Sequence, residues 1–327
     1  PDLANNLNKI VCTTAPSGIV FSTTAASVAA VSYNLISVTP QAGLVPAGTN
    51  VAFPANAVAS NYVGTDRFTN PTNGTLTVTY RVSPVSAAGC IGPQEDIILT
   101  VEPTITAAPV SLKPTVCSGS GNGTDLTDIT LLSPTTPSAG VITFNYTAVS
   151  SVGTQITGFV PALSGLAMNY QITDNLVNTS NSPATVTYTI TPVAAGASSG
   201  TGCTGSPAVI VVTVEPKPKL VTTTVKTICE GVSTAINLTS PTTPSAGTIE
   251  FLLVSTTPTG GVTGMSANGT VFANGSSLTD VLSNPTTTAQ TVTYVFRPRI
   301  NGGAGCLGDD VNVVFTINSR PTVMSSP

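Results

Sequence analysis

The 327 residues predict an all-β chain of three like sandwich units, and three observations carry that expectation. One set of motifs recurs three times in the same order, about 107 residues apart. Within each recurrence Val, Ile, Thr and Tyr alternate in short runs broken by Pro, Gly and Asn, the pattern of half-buried strands joined by turns. The strong helix formers give way to Thr, Ser and Val with 29 Gly and 26 Pro, so long helices have no support.

Composition narrows the class. Only 7% of residues are charged, against roughly a quarter in an average soluble protein. The 41% that are hydrophobic bury enough apolar surface to offset chain entropy, which sets the chain apart from disordered ones. A net charge of -4 with ten basic residues scattered along the chain leaves no patch to neutralise phosphates, so no nucleic-acid partner is expected. No apolar stretch reaches the length of a membrane span, and no membrane insertion of this segment is expected. No secretory leader is visible, which reads as a mature segment. Six cysteines in a repetitive Thr-rich chain point to disulfides in an oxidising compartment. Histidine and tryptophan are absent.

The repeat rests on anchors in fixed order. An apolar residue precedes a cysteine at Val11-Cys12, Val116-Cys117 and Ile228-Cys229. Thr-Asp-x-[Leu/Phe]-x-Asn follows at Thr65–Asn70, Thr173–Asn178 and Thr279–Asn284. Val-Thr-Tyr comes next at Val78–Tyr80, Val186–Tyr188 and Val292–Tyr294, and a Gly-Cys-x-Gly closes each set at Cys90, Cys203 and Cys306. Ser-Pro-Thr-Thr-Pro-Ser-Ala-Gly at 133–140 returns verbatim at 240–247. Links at Glu102-Pro103, Glu215-Pro216-Lys217-Pro218 and Ser319-Arg320-Pro321 divide the chain into repeats at 1–102, 103–216 and 217–320. Residues 321–327 open a fourth, and both ends read as cuts through a longer array.

The last two strands of each repeat are the most legible. Thr185–Ile190 sets Val186, Tyr188 and Ile190 on one face and threonines on the other, as a half-covered antiparallel strand does. Ala208–Val214 is almost continuously β-branched and is expected to be covered more fully. A Gly-rich stretch holding Cys203 joins the two as a long hairpin. In repeat 3, Val221–Ile228 supplies a first strand and Ala235–Leu238 a second, across a Glu230-Gly231 turn. About seven short strands per hundred residues fit an immunoglobulin-like β-sandwich, and three in tandem an elongated rod.

Six cysteines allow 15 pairings, of which two are physically attractive. One stays within each repeat: Cys12–Cys90, Cys117–Cys203 and Cys229–Cys306. The other joins neighbours. The hairpin cysteine precedes a last strand about 30 Å long and so lies at the end facing the previous repeat. The first-strand cysteine lies at the end facing the next one. Bridged Cα atoms come within about 7 Å. End-to-end stacking therefore favours Cys12–Cys203 and Cys117–Cys306, leaving Cys90 and Cys229 for neighbouring repeats. A first strand that crosses early between sheets restores the pairing within repeats.

Asp66, Asn70, Asp174, Asn178, Asp280 and Asn284 are read as turn residues. Their side chains are expected to bond nearby backbone N–H groups while the Leu or Phe between them plugs the core. A calcium site wants six to eight oxygens, and one recurring Asp per repeat does not supply them. Tyr80, Tyr188 and Tyr294 are expected to pack inward with the hydroxyl on a backbone group. Lys9, Lys113 and Lys226 precede the first cysteines. An isopeptide to Asn70, Asn178 or Asn284 is conceivable chemistry, but solvated strand lysines that discourage edge pairing are the simpler reading. Sequons such as Asn73-Gly-Thr and Asn268-Gly-Thr mark exposed loops.

The string Asp-x-Leu-x-Asn, Pro, Val-Thr-Tyr, Gly-Cys-x-Gly, a β-run and Glu-Pro-x-Pro resembles the PKD-like repeats of Bacteroidetes surface proteins. Among these are the SprB-like giant gliding-motility adhesins. The resemblance implies an elongated cell-surface filament, exported by the type IX route and used for adhesion or gliding.

Without histidine the usual general base and zinc ligand is missing, and no nucleophile elbow, phosphate loop or carboxylate pair is present. An enzyme is not expected, nor a cofactor or metal. The function expected is a structural shaft segment of a large repetitive cell-surface adhesin or filament, extracellular, disulfide-braced and load-bearing. A glycan- or receptor-binding module is one alternative, and would show one repeat with a divergent aromatic or charged loop. A self-assembling surface layer or fibre is the other, served by low charge and flat Thr-rich faces. Neighbouring repeats of the same chain are the first partners expected. Beyond them stand cell-surface motility or anchoring machinery and extracellular surfaces or polysaccharide.

Overall fold

The computed structural model describes residues 1–119, 125–195 and 202–321. The proposed start of a fourth repeat, beyond Pro321, and the Gly-rich stretch at 196–201 lie outside the described residues.

Each repeat builds one main sheet. Repeat 1 supplies β1 (Lys9–Val11), β2 (Ala30–Pro40), β3 (Ala55–Val58), β4 (Leu76–Ser86) and β5 (Glu95–Val101). Repeat 2 supplies β6 (Thr115–Cys117), β7 (Val141–Ser150), β8 (Ala162–Ala167), β9 (Ala184–Ala195) and β10 (Ala208–Glu215). Repeat 3 supplies β11 (Val225–Cys229), β12 (Thr248–Pro258), β13 (Val271–Ala273), β14 (Gln290–Asn301) and β15 (Val311–Asn318). The strand order is the same in all three: β1-β5-β4-β2-β3, β6-β10-β9-β7-β8 and β11-β15-β14-β12-β13. Repeat 2 adds a two-residue piece, Cys203–Thr204, beside β9.

The first strand of each repeat runs parallel to the last, β1 to β5, β6 to β10 and β11 to β15. The other pairs within the main sheets are antiparallel. Short ladders complete each unit. They pair Val45–Pro46 with Phe68–Thr69, Ile129–Thr130 with Val110–Ser111 and Gln171–Ile172, and Ile236–Asn237 with Ser277–Leu278. The strand expected at Ala235–Leu238 is thus two residues long, and the first strand of repeat 3 begins at Val225 rather than Val221.

Alternation decides burial in β9, where Val186, Tyr188 and Ile190 are fully buried. The β-branched run of β10 departs from its expectation. Val212 and Val214 are buried, but Val209 and Val211 remain 56% and 49% exposed. The core covers one face of this sheet only, and β-branching there serves the strand conformation as much as burial.

The three apolar cores share no residue. They run from Leu3 to Val101, from Ile105 to Val214 and from Ile228 to Ile317. Tyr80, Tyr188 and Tyr294 are among the largest side chains with no exposure. The accessible surface is 15420 Å². A single globule of this mass exposes about 12,400 Å² and three separate domains about 16,700 Å². The chain lies near the second limit, as tandem units with narrow junctions require.

Candidate functional site: the junctions between repeats

Two constellations recur, one inside each repeat and one between repeats. Inside, the recurring tyrosine and aspartate meet. The hydroxyl of Tyr80 donates to Asp66 Oδ2 at 3.1 Å, that of Tyr188 to Asp174 at 2.7 Å and that of Tyr294 to Asp280 at 2.7 Å. This corrects the expectation that the phenol reaches a backbone group. It also corrects the aspartate's reading as a local turn residue, because Asp66 Oδ1 accepts from Val51 N–H and Asp280 Oδ2 from Ser266 N–H, both far along the chain. A buried phenol fits a carboxylate better than a carbonyl already engaged in a ladder. Burial raises Asp66 and Asp174 above the usual carboxylate range, opposed by their hydrogen bonds. Burial, with the neighbouring carboxylate, pushes all three phenols far up.

The asparagines do act as turn residues. Asn70 Oδ1 accepts from Thr72 N–H, Asn178 from Ser180 N–H and Asn284 from Thr286 N–H, at 3.0–3.1 Å. Each amide also donates to the last strand, to Val101, Val214 and Ile317 carbonyls, which ties the turn to the main sheet. Phe68, Leu176 and Leu282 fill the core beside them. These amides are not positioned for isopeptide chemistry. Lys226 Nζ donates to the Thr234 and Ala235 carbonyls, and Lys113 Nζ lies 3.3 Å from Asp125.

The second constellation sits where repeats meet. Cys12 is bonded to Cys203 and Cys117 to Cys306, with Cα separations of 5.5 and 5.4 Å. The pairs within repeats are not formed, and Cys90 and Cys229 are exposed and unbonded. Strand direction explains the geometry. Because β6 is parallel to β10, Cys117 sits beside Glu215 at the exit of repeat 2. The hairpin cysteine of repeat 3, just before β15, faces that exit.

Each bond is flanked by the same contacts. Glu102, with no exposure, accepts from Ser138 N–H at 3.0 Å and from its hydroxyl. Glu215, at 1% exposure, accepts from Ser245 N–H at 3.1 Å and from its hydroxyl. Thr136 N–H donates to the Asn73 carbonyl and Thr243 N–H to that of Asn181. The verbatim Ser-Pro-Thr-Thr-Pro-Ser-Ala-Gly is therefore the receiving surface for the repeat before it. Sequence reasoning missed both glutamates, since Glu-Pro reads as an exposed link. The available signal was the verbatim recurrence paired with a recurring Glu-Pro. The second glycine of Gly-Cys-x-Gly has its own reason. A Cβ on Gly92, Gly205 or Gly308 would lie 1.8–2.1 Å from the carbonyl oxygen of Pro1, Ile105 or Pro218. Only glycine lets the incoming chain pass.

An open cleft of about 490 Å³ surrounds Cys117–Cys306. Its charges are paired, Lys113 with Asp125, Lys217 with Asp309 and Arg297 with Asp310. Among the described residues no group of three or more His, Cys, Asp or Glu is placed to hold a metal. Among them, too, no helix is long and apolar enough to cross a membrane. The arrangement joins neighbouring repeats covalently and fixes them to one another by buried hydrogen bonds.

A family model described as a PKD-like domain matches residues 115–218 and 226–321. No curated protein sequence matches the chain. Similar solved structures include the D00-D0 domain of Intimin, at 14% identity over 64% of this chain and 98% of that one, with a TM-score of 0.26. Escherichia coli alpha-2-macroglobulin is 8% identical over 98% of this chain and 23% of its own, with a TM-score of 0.28. The chicken CNTN1 FN1-FN3 domains are 11% identical over 97% of both chains, with a TM-score of 0.25.

Proposed function

Since the chain belongs to the PKD-like domain family, we propose that it is a shaft segment of a large, repetitive, extracellular cell-surface adhesin, holding distance and load rather than catalysing a reaction. The observation that carries this reading is the identity of the two junctions. Disulfide, buried glutamate and threonine–carbonyl bond recur with the same residue types. A shaft repeats its contacts because each unit does the same job, whereas a binding module diverges in one unit. The outer units offer matching serine and cysteine positions, with Asn318 standing where Glu215 does. In support, Ser27 precedes the first strand pair at Ala30 as Ser138 precedes Val141 and Ser245 precedes Thr248. Cys90 precedes Ile91, which bridges Val85, as Cys203 precedes Thr204 beside Val193 and Cys306 precedes Leu307 beside Arg299. At the exit, Cys229 stands beside Asn318 as Cys117 stands beside Glu215. In this reading Cys90 and Cys229 bond to the preceding and following repeats. The parent filament would serve surface attachment or gliding and leave the cell by the type IX route, as in the adhesins that the motif string resembles. Its further partners would be cell-surface motility or anchoring machinery and extracellular surfaces or polysaccharide.

Small-angle X-ray scattering tests the shape this role requires. Three units of about 40 Å each give a radius of gyration of roughly 35 Å, against about 20 Å for one globule of this length. A value near 20 Å, or concentration-dependent lateral assembly, would sink the shaft reading.

A further inference from the structure

We infer that the disulfides divert tension onto a two-strand seam, the first and last strands of each repeat, and leave the other strands of every sandwich off the load path. Along a longer array this deepens the shaft reading and rests on it; within this chain it rests on the two bonds alone.

A cross-link short-circuits the chain between its ends. Cys12–Cys203 bypasses residues 13–202 and Cys117–Cys306 bypasses 118–305. From Cys203 the backbone runs along β10, through the link and along β11 to Cys229. From Cys90 it runs along β5, through the link and along β6 to Cys117. Each run spans two repeats lengthwise and ends on a cysteine at the next junction. In an array where Cys90 and Cys229 are bonded to neighbouring repeats in the same way, every repeat is crossed by two covalent tracks, one using its first strand and the other its last. In repeat 2 these strands are parallel neighbours, with Thr115 beside Thr213, Val116 beside Val214 and Cys117 beside Glu215. In repeat 3 the parallel seam extends over Val225–Cys229 and Val314–Asn318. The strands that hold most of the large core side chains, β7 and β9 with Phe144, Tyr146 and Tyr188, lie wholly within the bypassed stretches.

The magnitudes leave little slack. A 12-residue strand such as β9 spans about 40 Å, so two folded repeats span roughly 80 Å. The run from Cys203 to Cys229, fully extended, reaches about 90 Å. Two repeats without bonds would unravel to roughly 750 Å. A bonded array is near its covalent limit while still folded, so unfolding a core under load gains almost no length. The sandwiches then act as spacers on a cable.

Pulling this chain by the exposed Ile91 and by residue 321 in single-molecule force spectroscopy tests the inference. The shortest covalent route runs along β5 and β6 to Cys117, across to Cys306 and out along β15, so it uses first and last strands alone. It caps the oxidised chain at about 150 Å, against about 800 Å after reduction. A cap near about 240 Å, the value for pairing within repeats, or extension to about 800 Å without reductant, overturns it. The double substitution Cys12→Ser with Cys117→Ser should reach full length in either redox state, and a retained cap overturns the inference. Reduction of the unaltered chain needs no variant to fold. The extension limit is independent of particle shape, so a capped chain with a globular scattering profile would refute the shaft and leave the tracks standing.

Discussion

Replacing Tyr188 with Phe removes one hydroxyl from a fully buried ring and should cost repeat 2 about 2 kcal/mol at neutral pH. The hydroxyl donates at 2.7 Å to the Asp174 carboxylate, and a bond to a charged acceptor contributes roughly 1.5–3 kcal/mol. Packing barely changes, because the ring stays among the same neighbours. The pH dependence distinguishes this cause from lost packing. Burial already holds Asp174 above its unfolded value, while the Tyr188 bond pulls it down. Its contribution to stability therefore falls as pH rises through the window between the unfolded and folded values. Losing the phenol raises the folded value further and widens that window. The deficit should be largest above it and shrink as pH falls toward 4, where a protonated Asp174 no longer needs the donor. Urea unfolding followed by circular dichroism at pH 7.5 and 4.5 measures both quantities. Combining the change with Asp174→Asn in a double-mutant cycle should return a coupling of about 1–2 kcal/mol. A deficit below about 0.5 kcal/mol, or one equal at the two pH values, refutes the reasoning.

Asn284→Ala should destabilise repeat 3 by about 2–4 kcal/mol in denaturant unfolding, because the Ile317 and Thr288 carbonyls lose a donor and the Thr286 amide an acceptor. Asn284→Asp should not rescue it, having no N–H to give. Glu215→Ala should speed hydrogen exchange at the Ser245 amide at least about tenfold while Ser138, in the other junction, stays unchanged; the loss of one charge-assisted bond sets that scale. Alkaline titration should reveal Tyr80, Tyr188 and Tyr294 as phenols that resist ionisation in the folded chain. Their unfolded forms ionise near 10, so stability is intact below that pH and is lost as pH rises above it. Absorbance titration giving ordinary midpoints for every tyrosine would contradict their burial.

The repeat, the strand-rich class and the inward face of β9 were legible because each rests on local period or on direct self-comparison. Boundaries were less so. β-branching through Thr222–Thr224 reads Val221 into a strand that starts at Val225, whereas Val221 itself bridges Thr239 and not the last strand. The exposure of Val209 and Val211 is not legible because composition tells a strand from a loop but does not tell which strands a second layer covers. Asp66, Asp174 and Asp280 read as turn residues and Tyr80, Tyr188 and Tyr294 as core residues, and nothing local in the sequence joins them. The pair forms across the sandwich, and a fixed sequence spacing carries no sign of that. Glu102 and Glu215 were hidden for a stronger reason. Their partners Ser138 and Ser245 belong to the next repeat, so burial arises only on docking.

Peptide mapping without reduction tests the junctions most directly. Digestion of the oxidised chain should release one cross-linked species containing Cys12 with Cys203 and another containing Cys117 with Cys306. A species joining Cys117 to Cys203, or Cys12 to Cys90, would contradict the account at its base.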